Sequence, residues 1–490
     1  MNFSRRPLLK IIEEDSIKTI VNKAYGLLES VGVKINNSEA LDILAQNGAK
    51  VDFPKKTAWI NGSMIDKALK TVPSMIDFYN EKGEKSVTLG GDNISYVPGA
   101  SALYVLDSKT KKMRTPVTDD LINFIRVTDA LDNIAFSHPA LVLSDVPKKF
   151  SDVWRYFLTI LNTSKPLSGG VFTIEATQVI KEMLVVMSGD EKEMRQKPRT
   201  SFSCCPSSPL RWDEITCQNL IDCAKYGIPV RVLALPISGG SAPATLSGTV
   251  LQHTAENLSG IVIHQLVNPG APIYYGGSPA ILDMKKGTTP MGAIETHMID
   301  IAYCQIGRYL GMPTHTIMAL SDSKVVDTQA GLESGVGIIL GALAGINMIA
   351  GPGMLDFESC QSPEKLVIDN DICGMAYRLV GGINCSESAL GADVIQERAG
   401  KGDFLDSPHT LQWFKKEFYF PSSVIDRASR REFEDKGSQD TYQKAKEMVR
   451  KILDEYELRP FPNDKKKELV KIVKAEVKKY GLDQLPNYEI

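Results

Sequence analysis

The chain has 490 residues, which is more than one ordinary hydrophobic core supports, so one large domain with extensions is expected. The formal net charge is −3, and without an excess of Lys and Arg a nucleic acid is a poor partner. The eight cysteines include no C-x-x-C pair. This pattern is typical of reduced cytosolic thiols and indicates neither a disulfide framework nor a structural metal site.

No targeting or membrane segment is predicted. The N-terminal stretch MNFSRRPLLKIIEEDS acquires acidic residues before a signal-peptide apolar core can form. The uncharged stretch 334–355 is long enough to span a membrane, but Gly351, Pro352 and Gly353 interrupt it. We interpret it as a buried helix that leads into a strand, and we expect a cytoplasmic protein with no membrane partner.

Residues 1–90 predict a small α/β extension. The stretch IKTIVNKAYGLLESVGV has apolar residues at helical spacing, and SEALDILAQNGAKV predicts a second helix between Ser38 and Gly48. The stretch TAWINGSMIDKALKTVP then predicts a short strand, a turn and a third helix.

Residues 91–405 repeat one pattern, in which a short apolar run ends in a small-residue turn and an amphipathic stretch follows. Eight such strands alternating with helices predict an α/β fold of the TIM (β/α)₈ barrel type. The runs are SYVPGASALYVL (95–106), AFSHPALVLS (from 135), PLSGGVFT (from 166), TSFSCCP (from 200), IPVRVLALP (from 228), APIYYGGS (from 271), PTHTIMAL (from 313) and GINMIAG (from 345).

Residues 406–490 predict a C-terminal helical extension, because the alternating pattern stops and aromatic-rich HTLQWFKKEFYFPS and two charged helices follow. The lysines of the last helix are interpreted as a solvated face, with docking to an acidic partner as the alternative.

Chemistry in a barrel of this type is expected on the loops that follow the strands. These loops contain no G-x-S-x-G, P-loop or H-E-x-x-H motif. They are instead rich in small residues, among them Gly277, Gly351 and Gly353. Turn geometry alone explains any one glycine, but together they suit the close approach of a large, flat ligand or cofactor.

One carboxylate stands out in a strongly apolar helix. In TLSGTVLQHTAENLSGIVIHQL, Glu256 shares a helix face with His253 and Asn257. A carboxylate in such a helix is either held by hydrogen bonds or serves a site, where it would face a cation. Both interpretations of Glu256 stay open on the sequence.

Aromatic residues beside the strand ends could wall a pocket for an alkylammonium group by cation–π contact. For each of them, ordinary core packing is the alternative. The candidates are Tyr96, Phe172, Tyr274, Tyr275 and Phe357.

Several of these segments, in order over nearly the whole chain, resemble the trimethylamine methyltransferase superfamily of corrinoid-dependent enzymes. They are YVPGASALYVLD, ISGGSAPATLSGTVLQHTAENL, SDSKVVDTQAG, GPGMLDF, LVIDNDICGMAYRLVGGI and SPHTLQWF. The resemblance implies a barrel that moves a methyl group from an amine to the Co(I) corrinoid of a separate small protein. The resemblance also implies that this chain itself binds no corrinoid tightly, and that Glu256 is a site residue.

The trimethylamine enzymes of this family carry pyrrolysine in the loop after the seventh strand, which reads DTQAG in this chain. Gly331 appears in its place, flanked by Gln329, and both are predicted catalytic-site positions. The resemblance is therefore to the branch without pyrrolysine, which demethylates quaternary amines such as glycine betaine. A quaternary ammonium already carries its charge and leaves as a neutral amine, so it needs no electrophilic activation.

A betaine also carries a carboxylate, which would bind an arginine, lysine, histidine or backbone N–H group. The candidates are His315, Arg308 and Lys324, with structural pairing as the alternative for Arg308. Proline betaine, carnitine and butyrobetaine are the alternative substrates within the same class.

Two other classes of function stay open. One is a barrel lyase or isomerase that holds a phosphorylated metabolite on Gly351 and Gly353 and uses a Schiff-base lysine, although no lysine lies in the eight runs. The other is a non-catalytic protein that only docks a corrinoid partner. A homo-oligomer is expected in every case, since barrels of this size often form symmetric multimers.

Overall fold

The computed structural model of the protein describes residues 7–457 and 461–480. The first six residues of the N-terminal segment discussed above therefore lie outside the described residues. Within the described part, no helix is both long and apolar enough to cross a bilayer.

A ring of parallel strands forms the centre of the molecule and confirms the predicted (β/α)₈ barrel. Seven strands pair side by side in one sheet, each parallel to its neighbour. In chain order they are Ser95–Val97, Leu167–Gly169, Thr200–Cys204, Val230–Ala234, Ile273–Gly277, Thr314–Ile317 and Met348–Ala350.

The short segment 135–137 closes the ring as the second barrel strand. The Ala135 amide donates to the Tyr96 carbonyl at 2.8 Å, and the Ser137 amide donates to the Pro166 carbonyl at 2.9 Å. The numbering of barrel strands 1 to 8 below counts this segment as strand 2.

A helix follows each barrel strand and packs on the outside of the ring. These helices are Thr118–Ala130, Lys148–Asn162, Ile174–Ser188, Glu214–Tyr226, Leu246–Val267, Ile294–Tyr309, Thr328–Leu343 and Pro363–Val380. The helix Thr328–Leu343 leads directly into barrel strand 8, as predicted for the uncharged stretch.

The first apolar run was predicted as one strand over 95–106, and this is wrong in its second half. Barrel strand 1 ends at Val97, because Pro98 has no N–H to continue the ladder. Tyr104–Leu106 belongs instead to a small sheet with Met113–Arg114, Cys360–Gln361 and Met354–Leu355 above the barrel.

The N-terminal segment packs against the barrel with helices Glu14–Ser30, Ser38–Gln46 and Gly62–Thr71. Its strands Val33–Ile35, Lys50–Asp52 and Thr57–Trp59 form a sheet with Arg211–Trp212, which comes from the barrel segment. A short parallel strand pair is formed by Ile237–Ser238 and Ala280–Ile281.

A β-hairpin of Ile76–Tyr79 and Lys85–Leu89 closes the bottom of the barrel. Phe78 is fully buried and meets Phe136 edge-on, with ring centroids 5.2 Å apart. The Tyr79 amide donates to the Pro198 carbonyl, just before barrel strand 4. The hairpin therefore covers the amino ends of the strands, and the opposite end is the open mouth.

The C-terminal segment is helical, as predicted. Its helices are Pro408–Glu417, Arg430–Asp435, Thr441–Glu455 and Asn463–Lys479, and the shorter helices Glu191–Gln196, Glu387–Leu390 and Ala392–Arg398 precede it. Leu469 and Val473 of the last helix are buried in the same core as Ile17 of the first. One continuous core thus joins all three segments, and the boundaries at 90 and 405 stay a prediction.

Candidate active site in the barrel

A buried arginine occupies the centre of the barrel. Arg231, on barrel strand 5, is 2% exposed, and its side chain crosses the interior. Nε donates to Ser203 Oγ, Nη1 donates to Ser168 Oγ at 2.8 Å, and Nη1 lies 3.4 Å from His315 Nε2. Among the described residues, no carboxylate oxygen lies within 4.0 Å of this guanidinium, and Glu358 is a carboxylate that interacts with it at longer range.

Two histidines flank this arginine. His138 follows barrel strand 2, His315 lies on barrel strand 7, and both are fully buried. Burial lowers the pKa of each imidazole well below its usual value, and the nearby Arg231 charge lowers it further. Both rings are therefore neutral at physiological pH, and Arg231 carries the only full charge of this trio.

Two carboxylates lie at the mouth of the barrel. Glu358, in the loop after barrel strand 8, accepts a hydrogen bond at 2.6 Å from Ser278 Oγ, which follows barrel strand 6. Burial raises the pKa of Glu358 to about 7, the Ser278 hydrogen bond opposes the rise, and the Asp322 carboxylate adds to it. Asp322 itself accepts from the amides of Met291 and Gly292, each at 2.9 Å. The mouth is therefore acidic, whereas the centre is basic.

The loop that presents Glu358 has a strained backbone. Asp356, Phe357 and Glu358 have φ values of 51°, 53° and 70°, which non-glycine residues rarely adopt. The Asp356 amide is tied at 2.9 Å to the carbonyl of Ser323, in the loop after barrel strand 7. Strain of this kind persists where the surrounding structure fixes it and often marks a functional loop.

The ring of Phe357 already has a cation on its face. The Lys324 ammonium lies 3.8 Å from the ring centroid and 3.6 Å from a carboxylate oxygen of Asp356. It also donates to the Asp322 carbonyl at 2.7 Å. An aromatic face and carboxylates are the groups that attract an alkylammonium ion, and here they converge on one.

The other predicted aromatic residues lie in three different places. Phe172 is 56% exposed on the loop after barrel strand 3, with the Arg155 guanidinium 5.7 Å from its ring. Tyr274 faces the barrel interior and donates to Ser201 at 2.9 Å, in the apolar cluster next to the bottom hairpin. Tyr275 points out of the barrel and donates to Thr254 at 3.1 Å.

The prediction that Tyr96 lines the pocket is wrong. Tyr96 points out of the barrel, donates to the Ile338 carbonyl at 3.1 Å and packs edge-on against Tyr377. Successive side chains of a strand face opposite sides, and here Val97 is the residue that faces the interior cluster.

Gly277, Gly351 and Gly353 pack closely against other parts of the protein, and their predicted role in holding a cofactor stays a prediction. A side chain at Gly277 would collide with His253, and one at Gly351 would meet the Ala319 backbone at 2.8 Å. A side chain at Gly353 would lie 2.7 Å from Gln361 Oε1. The three glycines therefore make room for neighbouring protein atoms.

Gln329 and Gly331 lie on the first turn of the helix Thr328–Leu343, not in a loop. Both are exposed, and Gln329 donates to Glu333 Oε1 at 2.9 Å. A side chain built at Gly331 meets no atom within 4 Å, so the position opens onto free space. Their predicted catalytic roles stay predictions.

Of the predicted carboxylate-binding residues, only His315 lies in the barrel interior. Arg308 donates to the carbonyls of Gly91 and Gly345, which precede barrel strands 1 and 8 at the bottom of the barrel. The prediction for Arg308 is therefore wrong, because it lies at the closed end.

Glu256 is held entirely by the protein. It is fully buried, and its oxygens accept hydrogen bonds from Ser208 Oγ at 2.8 Å, the Leu210 amide at 3.0 Å and Gln252 Nε2 at 3.0 Å. Burial raises its pKa, and these three donors oppose the rise. The carboxylate thus anchors the loop after barrel strand 4. This agrees with the interpretation of Glu256 as a carboxylate that is held by hydrogen bonds.

Replacing Glu256 by Gln is expected to lower the free energy of unfolding by about 1–3 kcal/mol, because one donor loses its acceptor. Urea denaturation followed by circular dichroism measures this loss. Exposed Glu182, on the helix Ile174–Ser188, provides the matched control, and Glu182→Gln should leave stability unchanged within ~0.5 kcal/mol. A Glu256→Gln variant with wild-type stability but no activity would restore the catalytic interpretation.

Comparison with known proteins supports the motif resemblance over most of the chain. The trimethylamine methyltransferase of Methanosarcina thermophila is 33% identical over 468 residues, covering 94% of this chain and 96% of the relative. That of Desulfitobacterium hafniense DCB-2 is 30% identical over 469 residues, with 96% and 94% covered. The glycine betaine methyltransferase of D. hafniense Y51 is 29% identical over 425 residues, covering 86% and 88%.

A solved structure supports the fold alone. The crystal structure of the monomethylamine methyltransferase of Methanosarcina barkeri superposes with a TM-score of 0.52 at 12% identity, covering 93% of this chain and 89% of that one. The family model described as trimethylamine methyltransferase (MTTB) matches residues 2–481. The resemblance inferred from the motifs is thus confirmed, and the chain belongs to the trimethylamine methyltransferase (MTTB) family.

Proposed function

We propose that this protein transfers a methyl group from a quaternary amine, with glycine betaine as the first candidate, to the Co(I) corrinoid of a separate protein. The observation that carries the proposal is the ammonium group held at the mouth. Lys324 lies over Phe357 next to the Asp356 carboxylate, and Glu358 lies on the same loop. A trimethylammonium group cannot donate hydrogen bonds, so an aromatic face and carboxylates are what can recognise it.

The residue in place of pyrrolysine supports a quaternary rather than a tertiary amine. Gly331 supplies no electrophilic side chain, and the space around its Cα is open. A quaternary ammonium needs none, since its C–N bond breaks with both electrons going to nitrogen and the product leaves as a neutral amine. The Co(I) acceptor supplies the electron pair for the new bond to the methyl carbon. The protein has to orient the C–N bond and exclude water.

The rim of the mouth supports a protein-borne acceptor. Four large apolar side chains, three on loops and one in the helix Thr328–Leu343, are more than half exposed there: Leu103 (55%), Phe172 (56%), Met284 (72%) and Leu332 (64%). Exposed apolar groups around a mouth are typical of a protein-binding surface. We therefore propose that the corrinoid arrives on a partner protein that docks on this rim.

A homo-oligomer is proposed on a separate surface. Segment 383–420 exposes a series of large apolar side chains that no other part of the described chain covers. They are Ile383, Leu390, Ile395, Leu405, Leu411, Phe418 and Phe420. A second copy of the chain would remove this apolar area from water.

The alternatives differ in how they fit the barrel. Proline betaine, carnitine and butyrobetaine share the charged groups of glycine betaine and stay alternatives of the same class. A phosphorylated substrate fits poorly, because the Gly353 amide donates to Asp369 at 2.7 Å and is not free for a phosphate. No observation favours a purely docking protein.

Incubation of the protein with Co(I) cobalamin and a panel of methylated amines tests the proposal. Methylation of the corrinoid, followed by absorbance, is expected with glycine betaine or one of the three alternative betaines and not with trimethylamine. A reaction with trimethylamine while every quaternary amine is inert would contradict it.

A further inference from the structure

We propose that Arg231, together with His138 and His315, binds a carboxylate of the substrate at the centre of the barrel. The enzyme would then demand a zwitterionic amine rather than any quaternary amine. This inference rests on the proposed function and names the part of the substrate that the barrel interior selects.

The first argument is that no carboxylate of the described residues forms a direct ion pair with Arg231. Removing a guanidinium from water costs several kcal/mol unless an anion or a full set of acceptors replaces the water. Here the neighbours within hydrogen-bond reach are two serine hydroxyls, a neutral imidazole, the Met348 sulfur and the Tyr274 hydroxyl, and none of them carries a negative charge. Within residues 7–457 and 461–480, the second terminal nitrogen, Nη2, donates to no protein acceptor. An anion from outside the chain would complete the site.

The second argument comes from ring nitrogens that lack partners. Both nitrogens of His138 and Nδ1 of His315 are buried and have no hydrogen-bond partner in the described part of the chain. Buried polar atoms without partners are rare and costly, so they point to an occupant that supplies hydrogen-bonding groups. A neutral imidazole has one N–H to donate, and a carboxylate can accept it.

The third argument is the separation of charge along the barrel axis. Arg231 lies within barrel strand 5, whereas Glu358 and Asp322 lie on loops beyond the ends of strands 8 and 7. A molecule with an anionic end and a cationic end therefore has one favourable orientation. Its carboxylate lies inside on Arg231, and its methylated ammonium lies at the mouth, where the methyl acceptor arrives.

The planar shape of the guanidinium favours a carboxylate over a spherical anion. Arginine donates two parallel hydrogen bonds to the two oxygens of a carboxylate, and this geometry adds specificity as well as affinity. Choline, tetramethylammonium and trimethylamine have the cation without this group. The prediction is that they react poorly, because only the groups at the mouth would hold them.

The test compares glycine betaine with choline in the wild type and in Arg231→Gln and Arg231→Lys. The preference for glycine betaine, taken as the ratio of the two kcat/KM values, is expected to fall by about 100-fold in Arg231→Gln. Arg231→Lys should recover part of it, because the charge stays but the two-pronged geometry is lost. Arg430→Gln, on an arginine whose side chain is 91% exposed, is the control and should keep the preference.

A binding readout separates this inference from the proposed function. Glycine betaine and acetate are each expected to raise the melting temperature of the wild type but not of Arg231→Gln. If the wild type methylates no corrinoid but these shifts are seen, the anion site stands and the proposed function fails. If the enzyme demethylates quaternary amines but Arg231→Gln keeps both the preference and the shifts, the inference is overturned and the function stands.

Discussion

Replacing Glu358 by Gln is expected to raise the KM for the quaternary amine at pH 8 by about 10- to 100-fold, because the mouth loses a charge that faces the substrate cation. The pKa of Glu358 is about 7, so the wild-type carboxyl is mostly neutral at pH 6 and mostly charged at pH 8. The wild-type KM should therefore fall as pH rises through 7. In Glu358→Gln this dependence should disappear, and steady-state assays from pH 6 to pH 8.5 measure it.

The same substitution weakens substrate binding but is expected to stabilise the folded protein at pH 8. A carboxyl with a folded-state pKa of about 7 binds its proton more tightly than the unfolded chain does, whose carboxyl titrates near the ordinary 4.5. Glu358 therefore makes its full contribution to the stability of the folded state below pH 4.5, and this contribution is lost as pH rises through 7. Glu358→Gln should raise the melting temperature at pH 8 and not at pH 4.5. The exposed Glu434, changed to Gln, is the control. Equal melting temperatures for Glu358→Gln and wild type at pH 8 would contradict the raised pKa.

Replacing Asp369 by Ala is expected to lower the free energy of unfolding by about 3–5 kcal/mol, because it leaves a buried lysine charge without its partner. Lys365 Nζ and Asp369 Oδ2 are 2.6 Å apart, and both side chains are 1% exposed. The same oxygen accepts from the Gly353 amide at 2.7 Å, at the start of the loop that presents Glu358. The substitution therefore loosens the mouth loop as well as the core. Urea unfolding measures the loss.

A surface ion pair provides the matched control for this prediction. Arg430 and Glu434 are 91% and 56% exposed, and Glu434→Ala should cost less than ~1 kcal/mol. The double substitution Lys365→Met with Asp369→Leu should recover most of the loss, because it removes both buried charges together. Equal losses for Asp369→Ala and Glu434→Ala would show that the buried pair contributes nothing beyond a surface pair.

The barrel was predictable because each strand–helix unit repeats the same change of apolar pattern. The direction in which each strand residue points was not, as Tyr96 and Tyr274 show. Both faces of a barrel strand are buried, one by the barrel interior and one by the outer helices, so the apolar runs have no in–out alternation. The error over 95–106 has another cause, because Pro98 ends the ladder although the apolar run continues past it.

The site residues also divide into those that the sequence could identify and those that it could not. Arg231 is the only Lys, Arg, Asp or Glu in the eight apolar runs, and this signal could have identified it from the sequence. Glu358 could not be identified from the sequence, because its position at the mouth depends on the backbone of a loop with positive φ angles. This loop brings Glu358 to Ser278 across the mouth. For Glu256, the apolar helix predicted a buried carboxylate but not its three donors on neighbouring segments.

The hairpin under the barrel imposes a compulsory order on the proposed reaction. Because Ile76, Phe78 and Leu89 are buried at the lower end, the mouth is the open end of the barrel in the part of the chain that the structure describes. The amine has to enter before the corrinoid protein covers the rim, and the demethylated product is trapped until that protein leaves. Excess corrinoid protein should then bind first and block the entry of the amine. A high concentration of the corrinoid protein is therefore expected to slow the turnover of the amine.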